Sequence, residues 1–269
     1  MDRLFLIILT LSICAMNCYG QKVTQPKMEH IFLDQSDSTK NCYTIIYPPK
    51  HPWKGYIFLV PGFGETAENV LLQTELPKKL AQHGILTIIP TFQDGTFSFG
   101  VDSLSQQSLI NMIKNVNAKH KLKDLKLFVG GFSIGGSCVI KYAEHSTIQP
   151  TAVFAIDPPL DFERFYHSAI RNIRLSKNTE ANQEDVYMID RLEKETGGSP
   201  TTNLSAYYKL SPYSFSDTSQ TAIKKIIHIP LRIYTEPDIQ WWMKERGTDF
   251  TKINATECSA MINELNRLG

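Results

Sequence analysis

Residues 126–136 read Lys126-Leu-Phe-Val-Gly-Gly-Phe-Ser-Ile-Gly-Gly136, and their reading decides the fold. Leu127-Phe-Val129 is a short β-rich run, and Gly135 to His145 reads as a helix. Between them Gly131-Phe-Ser-Ile-Gly135 fits the pattern G-x-S-x-G. The pattern alone is short and arises by chance. Between a strand and a helix it describes a turn with a steric logic. The turn is so tight that the residues two before and two after the serine need to be glycine. Ser133 is then held out above the sheet. The helix N-terminus beneath it favours the negative charge that develops there during acyl transfer. The competing reading is a glycine-rich turn around an ordinary serine. The strand before and the helix after favour the elbow.

The segments around the elbow alternate. His30-Ile-Phe-Leu33 and Tyr43-Thr-Ile-Ile-Tyr47 read as a hairpin, and Tyr56-Ile-Phe-Leu-Val60 as a strand buried on both faces. Pro61-Gly-Phe-Gly64 ends that strand, and Ala67 to His83 reads as one helix with Leu71, Leu72, Leu76 and Leu80 on one side. Ile85 to Ile89 is a strand, and Ser103 to His120 a helix with Leu104, Leu109, Ile113 and Val116 at helical spacing. Thr151 to Ile156 and Pro230 to Tyr234 are further strands, and a last helix lies near Ala255 to Leu268. Such alternation predicts an α/β fold, a mostly parallel sheet with helices on both faces. The alternation stops between Asp157 and Ile229. There Phe162 to Leu175 and Asn182 to Glu195 look helical, Gly197-Gly-Ser-Pro200 is a break, and Ser205 to Ser219 is rich in Tyr, Ser and Pro. The insertion, about residues 158–229, reads as a helical cap over the C-terminal edge of the sheet, inserted after the sixth strand.

The 269 residues carry a net charge of +1, with 42% hydrophobic and 20% charged residues. That suits one globular domain and offers no basic footprint for nucleic acid. The apolar run Leu4 to Ala15 reads as the core of a secretory signal over residues 1–20, with cleavage before Gln21; no stable membrane span is expected after cleavage. The expected location is secreted or periplasmic. The alternative is a lipoprotein anchored at Cys18. Cys42, Cys138 and Cys258 then remain, an odd number with no metal-like spacing. No metal and no cofactor are expected. Asn203-Leu-Ser205 and Asn254-Ala-Thr256 fit the glycosylation pattern, which matters only in a eukaryotic secretory pathway.

On the elbow, the Val60-Pro61-Gly62-Phe63-Gly64 turn and the order of elements, the chain resembles the α/β-hydrolase superfamily, in particular its secreted bacterial esterase-like members. The resemblance covers nearly all of the mature chain. It implies an oxyanion hole built from the backbone N–H groups of Phe63 and Ile134. Pro61 stands where family members often have His, a change that removes no backbone donor. The resemblance also implies an acid after the seventh strand, Asp238 first and Glu236 second, with Asp157 as an alternative position after the sixth. Asp157-Pro-Pro-Leu-Asp161 could instead steer the chain into the cap. The family order is Ser, acid, His, yet none of the seven histidines (His30, His51, His83, His120, His145, His167, His228) follows Asp238. His167 and His228 are the nearest candidates. The expected eighth strand and the loop that carries His are also missing, which reads as a chain cut short.

Three functions compete. The first is a secreted serine hydrolase acting on a small-molecule or carbohydrate ester. The second is a peptidase of the same fold, which usually carries another large domain. The third is a non-catalytic binding protein, with Tyr207, Tyr208, Tyr213, Trp241 and Trp242 lining its surface. For those aromatics the alternative is packing of the cap on the core.

Overall fold

A computed structural model describes residues 26–34, 36–175 and 183–269. The expected export signal over residues 1–20 and the alternative anchor at Cys18 lie outside them. Strands β1 (Met28–Phe32), β2 (Cys42–Ile46) and β3 (Gly55–Val60) are followed by helices α1 (Ala67–Gln73) and α2 (Leu76–Gln82) and by strand β4 (Ile85–Thr91). Then come α3 (Ser103–His120), β5 (Lys126–Phe132), α4 (Ile134–His145) and β6 (Ala152–Ile156). The cap contributes α5 (Phe162–Leu175), α6 (Gln183–Thr196) and α7 (Pro200–Leu210), and the chain returns through β7 (Leu231–Tyr234), α8 (Ile239–Arg246) and α9 (Ala255–Leu268).

Among the described residues the strands form one seven-stranded sheet, in the order β1-β2-β4-β3-β5-β6-β7. β1, β2 and β4 pair antiparallel; β4-β3-β5-β6-β7 are parallel. The expected mostly parallel sheet is therefore present. The centre is the most apolar part, and every residue of Gly55–Val60 is buried, as helices on both faces require. Helix α4 lies beneath the elbow and is buried from Ile134 to Glu144. It carries a buried ion pair, Lys141 to Glu144 at 3.0 Å, and the Lys141 ammonium also donates to the Ser211 carbonyl at 3.0 Å.

Three local expectations need correction. The helix read across Ala67 to His83 is two helices, because Pro77 has no N–H and its ring clashes one turn back, so Thr74 turns extended. Leu72 points to solvent, 86% exposed. Ser199-Pro200 opens α7 where a break was read, Ser199 being the N-cap and Pro200 tolerated in the first turn. Helix α8 was not foreseen. Asp238 caps it by accepting the Trp241 N–H at 3.1 Å, and Gly247 ends it with φ +60°. No residue of α8 is buried.

The cap rests on the sheet through one apolar cluster. Phe162, Tyr166, Met188, Leu192 and Tyr207 pack with Phe99, Val101 and Ile134. Asp161 steers the chain into the cap, its carboxylate accepting the Arg164 N–H at 3.1 Å and the Phe215 N–H at 2.8 Å. Arg164 then ties α5 to the C-terminal segment. It donates to the carbonyls of Thr251 (2.6 Å) and Ile253 (2.9 Å) and pairs with Glu257, whose side chain is buried. Replacing Arg164 by Leu strands that carboxylate and is expected to cost about 3–5 kcal/mol in urea unfolding. The double change Arg164→Leu with Glu257→Leu is expected to recover most of it. A double variant as unstable as the single would mean that the carbonyl contacts, not the ion pair, set the cost.

Candidate active site

The elbow is held by contacts that only glycine permits. A Cβ on Gly131 would lie 2.1 Å from the Gly135 carbonyl oxygen, and one on Gly135 would lie 2.3 Å from the Pro61 oxygen and 2.4 Å from the Val60 oxygen. A Cβ on Gly130 would strike the Phe154 ring at 2.3 Å. Ser133 between them has φ +48° and ψ −124°, a strained conformation for a residue with a side chain. Its N–H donates to the Ile156 carbonyl of the neighbouring strand at 2.8 Å, which fixes the turn against β6. The residue is exposed, and its hydroxyl makes no capping bond to α4 although it sits at the N-cap. The hydroxyl is thus free to react, above the positive end of a twelve-residue helix.

The turn after β3 closes on itself. Gly62 N–H donates to the Glu65 carboxylate at 3.0 Å, Gly64 N–H to the Thr96 carbonyl at 2.9 Å, Glu65 N–H to the Gly62 carbonyl at 3.2 Å, and Thr66 N–H to the Asn69 side chain at 2.9 Å. Phe63 N–H alone in this run finds no acceptor among the described residues, and neither does Ile134 N–H. These are the two amides expected as oxyanion donors. Both residues and Ser133 line one cavity of about 870 Å3 beneath the cap.

The same cavity is lined by Asp157, Pro159, Phe165, Met188, Trp242 and Asn254. Asp157 follows β6 with φ +49°. Its carboxylate accepts the Thr235 hydroxyl at 2.6 Å and the Asn254 side-chain amide at 3.3 Å. The farther wall is charged and internally paired. Arg171 meets Asp249 at 2.9 Å and Lys252 meets Asp185 at 2.7 Å. Hydrogen bonds from Thr251, joined by Arg171, hold the Asp249 carboxyl below the usual carboxylate range.

Of the expected acids, the structure brings neither Asp238 nor Glu236 into the cavity lining. Asp238 is occupied as the cap of α8, and the Glu236 carboxylate accepts the Asp238 N–H at 3.0 Å, both exposed to solvent. Asp157, the alternative position, does line it. No histidine lines it: His167 and His228 are exposed elsewhere. Among the five aromatics, Tyr207 and Tyr213 are buried in the core and Trp242 lines the cavity. The side-chain amide of Asn203 donates to the Thr196 carbonyl and that of Asn254 to the Asp157 carbonyl, so both glycosylation-pattern nitrogens are engaged inside the protein. Cys42, Cys138 and Cys258 are buried and unpaired. Asn254, Thr235 and Thr96 support this site and were missed in sequence. No local pattern marks them, because each reaches the site only through the tertiary fold.

No protein-family model and no curated protein matches the sequence. Solved structures do. FphF of Staphylococcus aureus, described as a fluorophosphonate-binding serine hydrolase, is 12% identical, with a TM-score of 0.50, over 91% of this chain and 98% of its own. MPT51 (FbpC1) of Mycobacterium tuberculosis is 11% identical, with a TM-score of 0.54, over 85% and 81%. The acylaminoacyl peptidase of Pyrococcus horikoshii is 12% identical, with a TM-score of 0.51, over 80% of this chain and 37% of its own. The chain has the α/β-hydrolase fold.

Two glycines separate a clash from a mere torsional penalty. Gly135→Ala drives a Cβ into the backbone of Val60 and Pro61 and is expected to cost more than about 4 kcal/mol in chemical unfolding. Gly247→Ala meets nothing within 4 Å and bears only its positive φ, so it is expected to cost about 1–2 kcal/mol. Equal losses would contradict the close approach at the elbow.

Proposed function

We propose that the protein is a serine hydrolase that cleaves esters through Ser133. The observation that supports this most directly is the pairing of a strained, uncommitted serine hydroxyl with two unoccupied amides on one cavity wall. In this reading the Ser133 oxygen attacks the ester carbonyl. The carbonyl oxygen takes the negative charge and receives hydrogen bonds from Phe63 and Ile134. The alcohol then leaves, and water later releases the acyl group. The cap supplies a chamber wide enough for a small-molecule ester, sugar esters included. Asp157 takes the place expected of Asp238 or Glu236.

Among the described residues no imidazole lines the cavity, and with these residues alone the serine proton leaves to water or hydroxide. A chain working this way retains the share of catalysis that oxyanion binding provides, on the order of 10³-fold over water. The absence of histidine from the lining favours a second reading, a binding protein that keeps the chamber without turnover. Labelling by a fluorophosphonate separates the two. Ser133 is expected to label slowly, with a rate rising about tenfold per pH unit through neutrality and no plateau near pH 7. Added imidazole is expected to raise the rate, and Asp157→Asn, unlike Asp238→Asn, to remove that gain. Ser133→Ala is expected to abolish labelling. Labelling that survives Ser133→Ala would refute the hydrolase reading, and a wild-type chain that binds esters but never labels would leave the binding reading standing.

A further inference from the structure

We infer that Glu65 is a positioning residue for the oxyanion hole; this rests on the hydrolase reading above. A turn that offers one amide to a substrate needs its other amides spent. Here the Glu65 side chain does that for the amide next to Phe63. Its Oε2 accepts the Gly62 N–H at 3.0 Å, and its own N–H donates to the Gly62 carbonyl at 3.2 Å. Its Oε1 accepts the Gln73 side-chain amide at 2.6 Å, so the carboxylate is itself held from helix α1. Charge-assisted bonds of this kind are the stronger ones.

Packing does not do the same work. Behind the turn lies a small unfilled space of about 20 Å3, lined among others by Gly62, Glu65, Ser98, Ile134 and Gly135. The fit is close on the carboxylate side, where a Cβ on Gly62 would lie 2.9 Å from Glu65 Oε2. Glycine at position 62 is therefore what lets the carboxylate reach the amide. Glu65 is not among the residues that line the cavity with Ser133. It acts through the backbone: the carboxylate fixes the Pro61–Gly62 peptide, and that in turn sets the torsions of Gly62 that aim the next peptide, which carries the Phe63 N–H and is itself held by the Glu65 N–H.

The test uses the full chain and a fluorophosphonate, with the maximal rate of Ser133 labelling and the half-saturating probe concentration measured separately. Glu65→Ala is expected to lower the maximal rate about 10- to 100-fold, less than the loss of a whole donor, with half-saturation changed less than about threefold. Glu65→Gln keeps an acceptor oxygen for Gly62 and is expected to stay within about threefold of wild type. The 31P resonance of the phosphonylated Ser133 reports the hydrogen bonds to the phosphoryl oxygen. It is expected to shift in Glu65→Ala and to hold in Glu65→Gln. An unchanged rate and resonance in Glu65→Ala overturn the inference and leave the hydrolase reading intact. Loss in Glu65→Gln equal to that in Glu65→Ala overturns it too. If Glu65→Ala does not fold, Glu65→Gln and Gln73→Leu carry the test. Gln73→Leu removes the outer anchor on an exposed helix face, and it is expected to slow labelling about threefold or more and to shift the resonance. No effect of Gln73→Leu on either overturns the inference. A wild-type chain that never labels at Ser133 overturns this inference and the hydrolase reading together.

Discussion

Two backbones approach each other at Gly135 more closely than any side chain would allow. The carbonyls of Val60 and Pro61, at the end of one central strand, stand where a Cβ of residue 135 would be. That contact joins the two halves of the site. Ser133 and Ile134 come from the turn after β5, and Phe63 from the turn after β3. These strands are direct neighbours, paired from Gly55 with Lys126 to Val60 with Gly131. The register brings both turns to the same edge of the sheet, and the missing Cβ lets them touch. The two amides without acceptors are thereby set beside Ser133 by the register of the sheet, and side chains only fix the turns within that frame. Rigid elements place a site more accurately than loops do.

The opposite wall of the chamber is assembled differently. It depends on polar side chains that cross from the cap to the segment between α8 and α9: Arg164, Arg171 and Ser168 from α5, and Asp185 from α6. Such pairs need partners far apart in the chain, 67 residues for Lys252 and Asp185 and 89 for Arg164 and Ile253. One wall is thus fixed by sheet geometry and the other by side-chain bonds whose strength depends on burial. The Arg164 and Glu257 pair is enclosed. The Arg171 and Asp249 pair is more exposed and contributes less.

What could be read in the sequence follows the same division. The elbow, the central strands and the helix from Ser103 to His120 are written locally, in glycine spacing and apolar runs, and the mostly parallel sheet follows from their alternation, though its strand order does not. Pro77 and Ser199-Pro200 were also written locally, but each was open to two readings, since proline both breaks a helix and starts one. Asp238 shows the sharper limit. A carboxylate after a strand serves a site or a helix cap equally well, and in the structure Asp238 accepts the Trp241 N–H as a cap. Asp157 gave no stronger signal, yet its neighbour Ile156 pairs with the Ser133 turn, and its own carboxylate is held by Asn254, 97 residues away. Contacts of that range leave no periodicity.

Helix α8 lies beside this chamber without a buried residue of its own, and it carries two of the three tryptophans. Trp242 lines the cavity, and Trp241 stands edge-on to it at 5.1 Å, half-exposed, beneath the Arg246 guanidinium. Trp53 precedes β3 at the other end of the sheet, stacked on His51 at 4.4 Å. The indoles are therefore sorted by location, two at the chamber and one remote from it. A ligand entering the chamber therefore changes the surroundings of Trp242 directly and leaves those of Trp53 as they are.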